Sequence, residues 1–115
     1  ALLTSAMCHD VGHPGHNNPF IVESCDPLAL QYNDRSPLEN MHCSVMFEIA
    51  FVSPRTALFR NCSKALYTEI RALCIEVILH TDMVHHFPMV SELKLLYEEN
   101  QEIMTLMHSE FWTTK

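Results

Sequence analysis

Glycine is the residue whose distribution most limits how this chain can fold. Only two glycines occur in 115 residues, and both lie in the segment His9–Asn18, together with three of the eight histidines. Leu, Ala, Met and Glu are plentiful, and these residues favour helices. The chain is therefore predicted to be all-α, with one loop of special backbone geometry where the glycines are concentrated.

Start and stop signals divide the rest of the chain into helices. Asp26 before Pro27 predicts an N-cap followed by a first helical turn. Ser36 and Glu39 form a Ser-x-x-Glu pattern that predicts a capping box, and Pro54 ends the helix that follows. The predicted helices are Ala1–His9, Asp26–Tyr32, Ser36 to about Val52, Ser63–His80, Met89–Glu98 and Glu102–Trp112; Val11–Phe20 is a loop and Phe20–Val22 a weak strand candidate. The predicted apolar face of the longest helix comprises Leu66, Ile70, Leu73, Cys74, Val77 and Thr81.

The charge balance excludes one class of partner. Seven Lys and Arg against fourteen Asp and Glu give a formal charge of -7, which argues against nucleic-acid binding. An anionic substrate would therefore need a local positive centre. Apolar residues make up 48% of the chain, enough for a buried core.

The apolar stretches and the cysteines indicate the compartment in which the protein acts. Stretches such as Ala72–Leu79 are far shorter than the roughly 20 residues that span a bilayer, so no membrane segment is expected in this piece. Five cysteines, an odd number without close pairing, indicate free thiols in a reducing compartment, and we expect a cytoplasmic protein. The chain starts within an apolar helical run and stops just after Trp112, so residues 1–115 are expected to be an internal piece of a domain truncated at both ends.

The segment His9–Asn18 carries the chemistry. Adjacent His9 and Asp10 at a helix end offer an imidazole nitrogen and a carboxylate to one point, where the helix C-terminus also favours a cation. Pro14 biases His13 away from helical geometry, which turns its side chain off the helix axis. A His-Asp pair alone is more often part of a loop that caps a helix and faces solvent, so the pair needs support from the rest of the chain.

Two further blocks give that support. The pattern His9-Asp10-x-x-His13-Pro14-Gly15-x-x-Asn18 is followed by the block Tyr32–Asn40 and then by Thr81-Asp82-Met83. In order and spacing these blocks resemble the catalytic domain of the class I 3',5'-cyclic nucleotide phosphodiesterases over nearly the whole chain. The segment Ser36–Cys43 looks most like the cGMP-preferring, type-nine-like branch.

The resemblance implies a fold and an activity. The fold would be a compact multi-helix, metal-dependent phosphohydrolase domain of the HD type, of which this chain is an internal piece. The activity would be hydrolysis of cGMP, cAMP or both to 5'-nucleotides, which ends second-messenger signals. Two divalent metals would be the cofactors, zinc and magnesium, with manganese as a substitute for the second. The resemblance also allows a homodimer and a membrane tether in the longer protein.

It also implies roles for individual residues. His9 and Asp10 match zinc ligands, and Asp10 would reach the second metal as well. His13, Glu39 and Thr81 match positions around the water shell of the second metal, and we treat these three as catalytic. Met83 matches a residue of the substrate pocket. Asn18 and Tyr32 are assigned to shaping that pocket, and Asn33 and His42 also fall on family motif positions.

The sequence leaves alternatives open for the role of Glu39 and for the reaction that the parent protein catalyses. Glu39 can cap the helix that starts at Ser36 or hold a water, and the motif favours the water. Instead of a cyclic nucleotide phosphodiesterase, the parent could be an HD-type phosphohydrolase for linear nucleotides or a catalytically dead regulatory or scaffold domain. Gly12 and Met41 replace an Asp and a His that are common in the family. Because the general acid and the other ligands of the family lie outside this piece, the isolated piece is predicted to be inactive and to bind zinc weakly.

Overall fold

All regular structure in the described residues is helical, which confirms the all-α prediction. The structure is a computed structural model and describes residues 1–52 and 55–101. After Asp82 the chain divides into two units. The first contains α1 (Leu2–Cys8), α2 (Asn18–Glu23), α3 (Pro27–Tyr32), α4 (Pro37–Phe47), a π-helical turn (Glu48–Val52) and α5 (Lys64–Leu79); the second contains a 3-10 turn (Met83–His85) and α6 (His86–Glu99).

Two helices begin at side-chain caps, of which the sequence predicts the one at Asp26. The Asp26 carboxylate accepts a hydrogen bond of 2.8 Å from the Leu28 N–H, and Pro27 is the first residue of α3. At the start of α5, the Ser63 hydroxyl accepts from the Leu66 N–H at 3.2 Å. Each cap satisfies a backbone donor that has no partner within its own helix.

Predictions for α2 and for the start of α4 are wrong. The weak strand candidate Phe20–Val22 lies within α2, and so do residues 18–20 of the predicted loop Val11–Phe20. The first turn of α2 is capped by the Asn17 side chain at 3.0 Å from the Phe20 N–H. The capping box does not form, because Ser36 adopts a left-handed conformation with φ of 42° and makes no side-chain cap. Its hydroxyl donates instead to the Asp82 carboxylate at 2.8 Å, a residue far along the chain.

The core of the first unit lies where α4 and α5 pack together, with α1 against α5. On α5 the buried residues are Cys74 and Ile78, whereas Leu66 and Leu73 are 47% and 56% exposed. The predicted apolar face is therefore wrong at its Leu66 and Leu73 positions. The buried side chains of this core are Cys43, Met46, Phe47, Ala50, Phe59, Cys74 and Ile78, and a smaller cluster joins Ile21, Ala29 and Leu38.

In the described part of the second unit, a 3-10 turn is followed by α6. This confirms the helix predicted over Met89–Glu98 and starts it at His86. Large apolar side chains of α6, among them Phe87 and Leu93, are exposed. The predicted stop at Pro54 and the predicted helix Glu102–Trp112 lie outside the described residues.

Two further observations concern the membrane and the cysteines. Among the helices that the structure describes, none is both long and apolar enough to cross a membrane. All five cysteines, each within the described ranges, are free thiols. The free thiols agree with the prediction from the odd number of cysteines.

Candidate functional site

His9 and Asp10 lie at the C-terminal end of α1, as predicted. The His9 Nδ1 is 2.9 Å from the Ala6 carbonyl oxygen, and because a carbonyl only accepts, Nδ1 carries the proton. In the neutral ring Nε2 then has a lone pair, and it lies 3.2 Å from the Asp10 Oδ2. A lone pair and a carboxylate oxygen at this distance repel each other unless a proton or a metal cation lies between them.

His42 lies on the other side of Asp10. This side chain, 1% exposed, donates from Nδ1 to the Val11 carbonyl at 2.8 Å, which again leaves the lone pair on Nε2. That Nε2 is 3.9 Å from the Asp10 Oδ1. The Asp10 carboxylate, which is itself exposed, is therefore flanked by two imidazoles whose orientation is set by backbone carbonyls.

His13 presents the opposite tautomer. Its Nδ1 accepts a hydrogen bond of 2.9 Å from the Gly15 N–H, so the proton of the neutral ring lies on Nε2. The ring stacks on that of His42 with a centroid distance of 5.6 Å and an interplanar angle of 20°. Gly12 and Gly15 have φ of 76° and 86°, a region that glycine enters without strain, which explains why the two glycines are here. His13 is thus a donor, whereas the His9 Nε2 is free to act as a ligand atom.

Glu39 lies on the first turn of α4 and is held by a residue of another helix. The Asn18 amide donates to the Glu39 Oε2 at 2.8 Å and to the Asp82 Oδ2 at 3.3 Å, and its Oδ1 accepts from the Leu38 N–H at 3.1 Å. The start of α2, the start of α4 and the residues after α5 therefore meet at one side-chain amide. With the capping box absent, the Glu39 carboxylate is turned toward Asn18 instead of toward its own helix end.

The remaining predicted residues occupy separate positions. Thr81 follows α5, is next to Asp82 in the chain, and its hydroxyl donates to the Ile78 carbonyl at 2.7 Å. The hydroxyl of Tyr32 at the end of α3 accepts from the neighbouring Gln31 amide at 3.3 Å. Met83 opens the second unit and is 66% exposed. The roles assigned to Thr81, Tyr32 and Met83 stay predictions.

The donor atoms of this site suit a metal ion, but they are too few to complete a metal site. An imidazole Nε2 and a carboxylate oxygen are ligands of zinc, and both Asp10 oxygens lie near ring nitrogens. Residues 1–52 and 55–101 contain no group of three or more His, Cys, Asp or Glu side chains placed to hold a metal. A catalytic zinc site has three protein ligands, so His9 and Asp10 fit as a part of such a site.

The cysteine beside the site is not a nucleophile. Burial raises the pKa of the Cys43 thiol from its ordinary value of 9.0 to about 11, and the charge of Arg71 opposes this shift only in part. The thiol is therefore protonated near neutral pH.

Sequence reasoning missed one member of the site. Asp82 is not among the predicted site residues, whereas its carboxylate accepts from Ser36 and Asn18. No local signal predicts this, because the Asn18 and Asp82 side chains meet across 64 positions of the chain. Their proximity depends on how α5 ends against α4.

Comparison with known proteins identifies the family that this geometry belongs to. The family model described as 3'5'-cyclic nucleotide phosphodiesterase matches residues 1–114. The chain belongs to the 3',5'-cyclic nucleotide phosphodiesterase family. This confirms the resemblance drawn from the His9–Asn18 and Tyr32–Asn40 motifs, and members of this family depend on metal ions in general.

Named relatives of this phosphodiesterase family are similar over most of the chain. A dual 3',5'-cyclic-AMP and -GMP phosphodiesterase beta of Plasmodium falciparum is 39% identical over 95% of this chain and 9% of its own length. The high affinity cGMP-specific 3',5'-cyclic phosphodiesterase 9A of Homo sapiens is 41% identical over 92% of this chain and 18% of its own length. The chain thus spans less than a fifth of either relative.

A solved structure shares the fold. The phosphodiesterase domain of the Salpingoeca rosetta rhodopsin phosphodiesterase superposes with a TM-score of 0.82 at 33% identity. The match covers 86% of this chain and 30% of that domain's chain. The helical arrangement described above is therefore that of part of a phosphodiesterase domain.

Proposed function

We propose that this chain is part of a longer catalytic domain that hydrolyses 3',5'-cyclic nucleotides to 5'-nucleotides. The observation that carries the proposal is the pairing of the His9 Nε2 with the Asp10 Oδ2 at 3.2 Å, in a chain of this family. Because the chain covers 30% of the solved phosphodiesterase domain, residues outside these 115 would complete the site. The named relatives act on cAMP and cGMP, and we propose both as substrates, with cGMP favoured by the relative at 41% identity.

His9 and Asp10 would hold a divalent metal, which we propose to be zinc, and Asp10 would also face a second one, magnesium or manganese. Paired divalent ions supply charge neutralisation at the phosphoryl group and acidify a water molecule. The Ala6 carbonyl fixes the ring of His9, and the Val11 carbonyl fixes the ring of His42 beside Asp10. The His9 imidazole and the Asp10 carboxylate would therefore meet a cation in a fixed orientation. The cations would be the positive centre that a chain of formal charge -7 otherwise lacks for an anionic substrate.

The reaction consumes one water. A bond forms between the water oxygen and phosphorus, the bond between phosphorus and O3' breaks, and O3' takes up a proton. His13, with its proton on Nε2, would donate a hydrogen bond to a phosphoryl oxygen or to a water. Glu39 binds Asn18 through Oε2, and its other oxygen can accept from a water. We assign the protonation of O3' to a residue upstream of this chain, following the family resemblance.

Free thiols support a reducing compartment, and we propose that the protein acts in the cytoplasm. A homodimer and a membrane tether of the longer protein stay predictions. The isolated chain, with two of three zinc ligands, is expected to bind zinc weakly and to leave cAMP and cGMP intact.

The proposal is tested in the full-length protein that contains this chain. Hydrolysis of cGMP and cAMP is measured with and without a chelator, for the wild type, Asp10→Asn and Asp26→Asn. Asp26→Asn is the matched control, because asparagine keeps the N-cap acceptor of α3 and makes the same change of charge. We expect chelator to abolish activity, Asp10→Asn to lower kcat by at least about 100-fold, and Asp26→Asn to stay within about twofold.

Other outcomes would replace the proposal. Hydrolysis of linear nucleotides but of neither cyclic one would indicate a different phosphohydrolase. Metal uptake with no hydrolysis of any nucleotide would indicate a regulatory or scaffold domain.

A further inference from the structure

Asn18 uses its whole amide in contacts between separate segments. Its Oδ1 accepts from the Leu38 N–H at 3.1 Å, and its Nδ2 donates to Glu39 at 2.8 Å and to Asp82 at 3.3 Å. A side-chain amide has two N–H donors, which is enough to donate one hydrogen bond to each carboxylate. The side chain is half-buried, so these hydrogen bonds are made with limited competition from water.

The two carboxylates would not adopt this arrangement by themselves. Glu39 and Asp82 carry like charges, and both accept from the same nitrogen, so their oxygens lie close together. Hydrogen-bond donors between carboxylates offset their repulsion. Ser36 adds a second donor to the Asp82 Oδ2 at 2.8 Å, and it does so instead of capping its own helix.

We propose that Asn18 is a positioning residue: it sets where the Glu39 carboxylate lies relative to the end of α5, where Thr81 and Asp82 follow the helix. It acts through Glu39 and does not itself contact the substrate, since both of its donors and its carbonyl are engaged within the protein. This inference rests on the proposed function, in which Glu39 accepts from a water at the metal site. Removing the hydrogen bond would misplace Glu39 without removing it.

The decisive variant is Asn18→Asp. Aspartate has nearly the same shape and still accepts from the Leu38 N–H, but it loses both donors and sets a third carboxylate beside Glu39 and Asp82. Asn17→Asp is the matched control: it makes the same chemical change one residue earlier, and aspartate keeps the cap on the Phe20 N–H. Both variants are made in the full-length protein.

Two measurements separate a positioning role from a structural one. The first is the split between kcat and KM for cGMP and cAMP. The second is the affinity for Mn²⁺ in the absence of nucleotide, followed by electron paramagnetic resonance. Loss of a residue that orients a metal site lowers activity or metal affinity about 10- to 100-fold. We expect Asn18→Asp to lower kcat and Mn²⁺ affinity by about this factor, with KM changed less than about threefold, and Asn17→Asp to resemble the wild type.

A double variant that exchanges the residue types at positions 18 and 82 distinguishes a loss of positioning from misfolding. Combining Asn18→Asp with Asp82→Asn restores the net charge and lets the new amide at position 82 donate to the new carboxylate at position 18, while the contact to Glu39 stays broken. We expect the exchange to recover the melting temperature but not kcat, and Asp82→Asn alone to lose less kcat than Asn18→Asp.

The remaining outcomes would overturn the inference. It is wrong if Asn18→Asp matches Asn17→Asp, if the exchange recovers full kcat, or if both the single variant Asn18→Asp and the exchange fail to fold, which would make the role purely structural. An inactive wild type would instead overturn the proposed function, and Mn²⁺ affinity would then decide the role of Asn18 alone.

Discussion

The loop from His9 to His16 and the core between α4 and α5 hold their side chains by different means. In the loop, imidazoles are oriented by backbone groups two or three residues away, as in the contacts of His9 with Ala6 and of His13 with Gly15. In the core, Cys43 and Met46 of α4 pack with Cys74 and Ile78 of α5, from helices far apart in sequence. The loop therefore contributes donor geometry, and the core determines how far apart the functional segments lie.

His42 joins the two regions. It is buried on α4, yet its Nδ1 donates to Val11 of the loop and its ring stacks on His13. A substitution in the core should thus mainly lower the free energy of unfolding, whereas a substitution in the loop should mainly lower kcat. Variants in each region test whether stability and activity depend on different parts of the molecule.

The largest effect on stability is expected in the core. Met46 is 1% exposed, and Met46→Ala should lower the free energy of unfolding by about 3 kcal/mol, because it removes buried methylene groups and leaves a cavity. Urea denaturation of the full-length protein measures this change. If the two regions are separable, kcat per folded molecule should stay within about twofold of wild type. A tenfold loss of kcat in fully folded protein would show that the core also sets the chemistry.

The thiol of Cys43 gives the core a pH dependence. Burial raises the pKa of this group to about 11 from an ordinary 9.0, so the folded state holds the proton more tightly than the unfolded state. Its contribution to stability is complete below pH 9 and is lost as the pH rises toward 11. The loss amounts to about 2 kcal/mol.

Urea denaturation of wild type and Cys43→Ala between about pH 8 and pH 11 measures this contribution. The variant should lose less stability over this range than the wild type. Equal slopes would mean that Cys43 titrates alike in the folded and unfolded states.

The smallest effect on stability is expected in the loop. Gly15 has φ of 86° and space around it, so Gly15→Ala should cost about 1 to 2 kcal/mol from backbone strain alone. Because the Gly15 N–H orients His13, kcat should fall as well, by a larger factor than in Met46→Ala. Gly12→Ala is the paired variant, with φ of 76° and a new Cβ that would contact Met41 at 3.5 Å. Unchanged kcat in Gly15→Ala would show that the orientation of His13 is unimportant.

The sequence alone predicted those features that depend on neighbouring residues. The helix start at Asp26 is predicted because the side chain there satisfies a backbone N–H two positions away. The helix that starts near Ser63 is predicted from the apolar periodicity that follows it. The pairing of His9 with Asp10 is predicted because adjacent residues at a helix end present an imidazole nitrogen and a carboxylate to one point. The family motifs added the interpretation that this pair holds a metal.

Tertiary structure decided the features in which a distant group competes with a local one. Ser36 was predicted to cap its own helix, but Asp82 accepts its hydroxyl, and Glu39 is bound by Asn18 instead of by that cap. Which face of α5 is buried likewise depends on where α1 and α4 pack, so Leu66 is exposed although its spacing suits an apolar stripe. Hydrogen bonds of Ser, Asn and Glu to alternative partners are similar in energy, and only the folded chain selects among those partners.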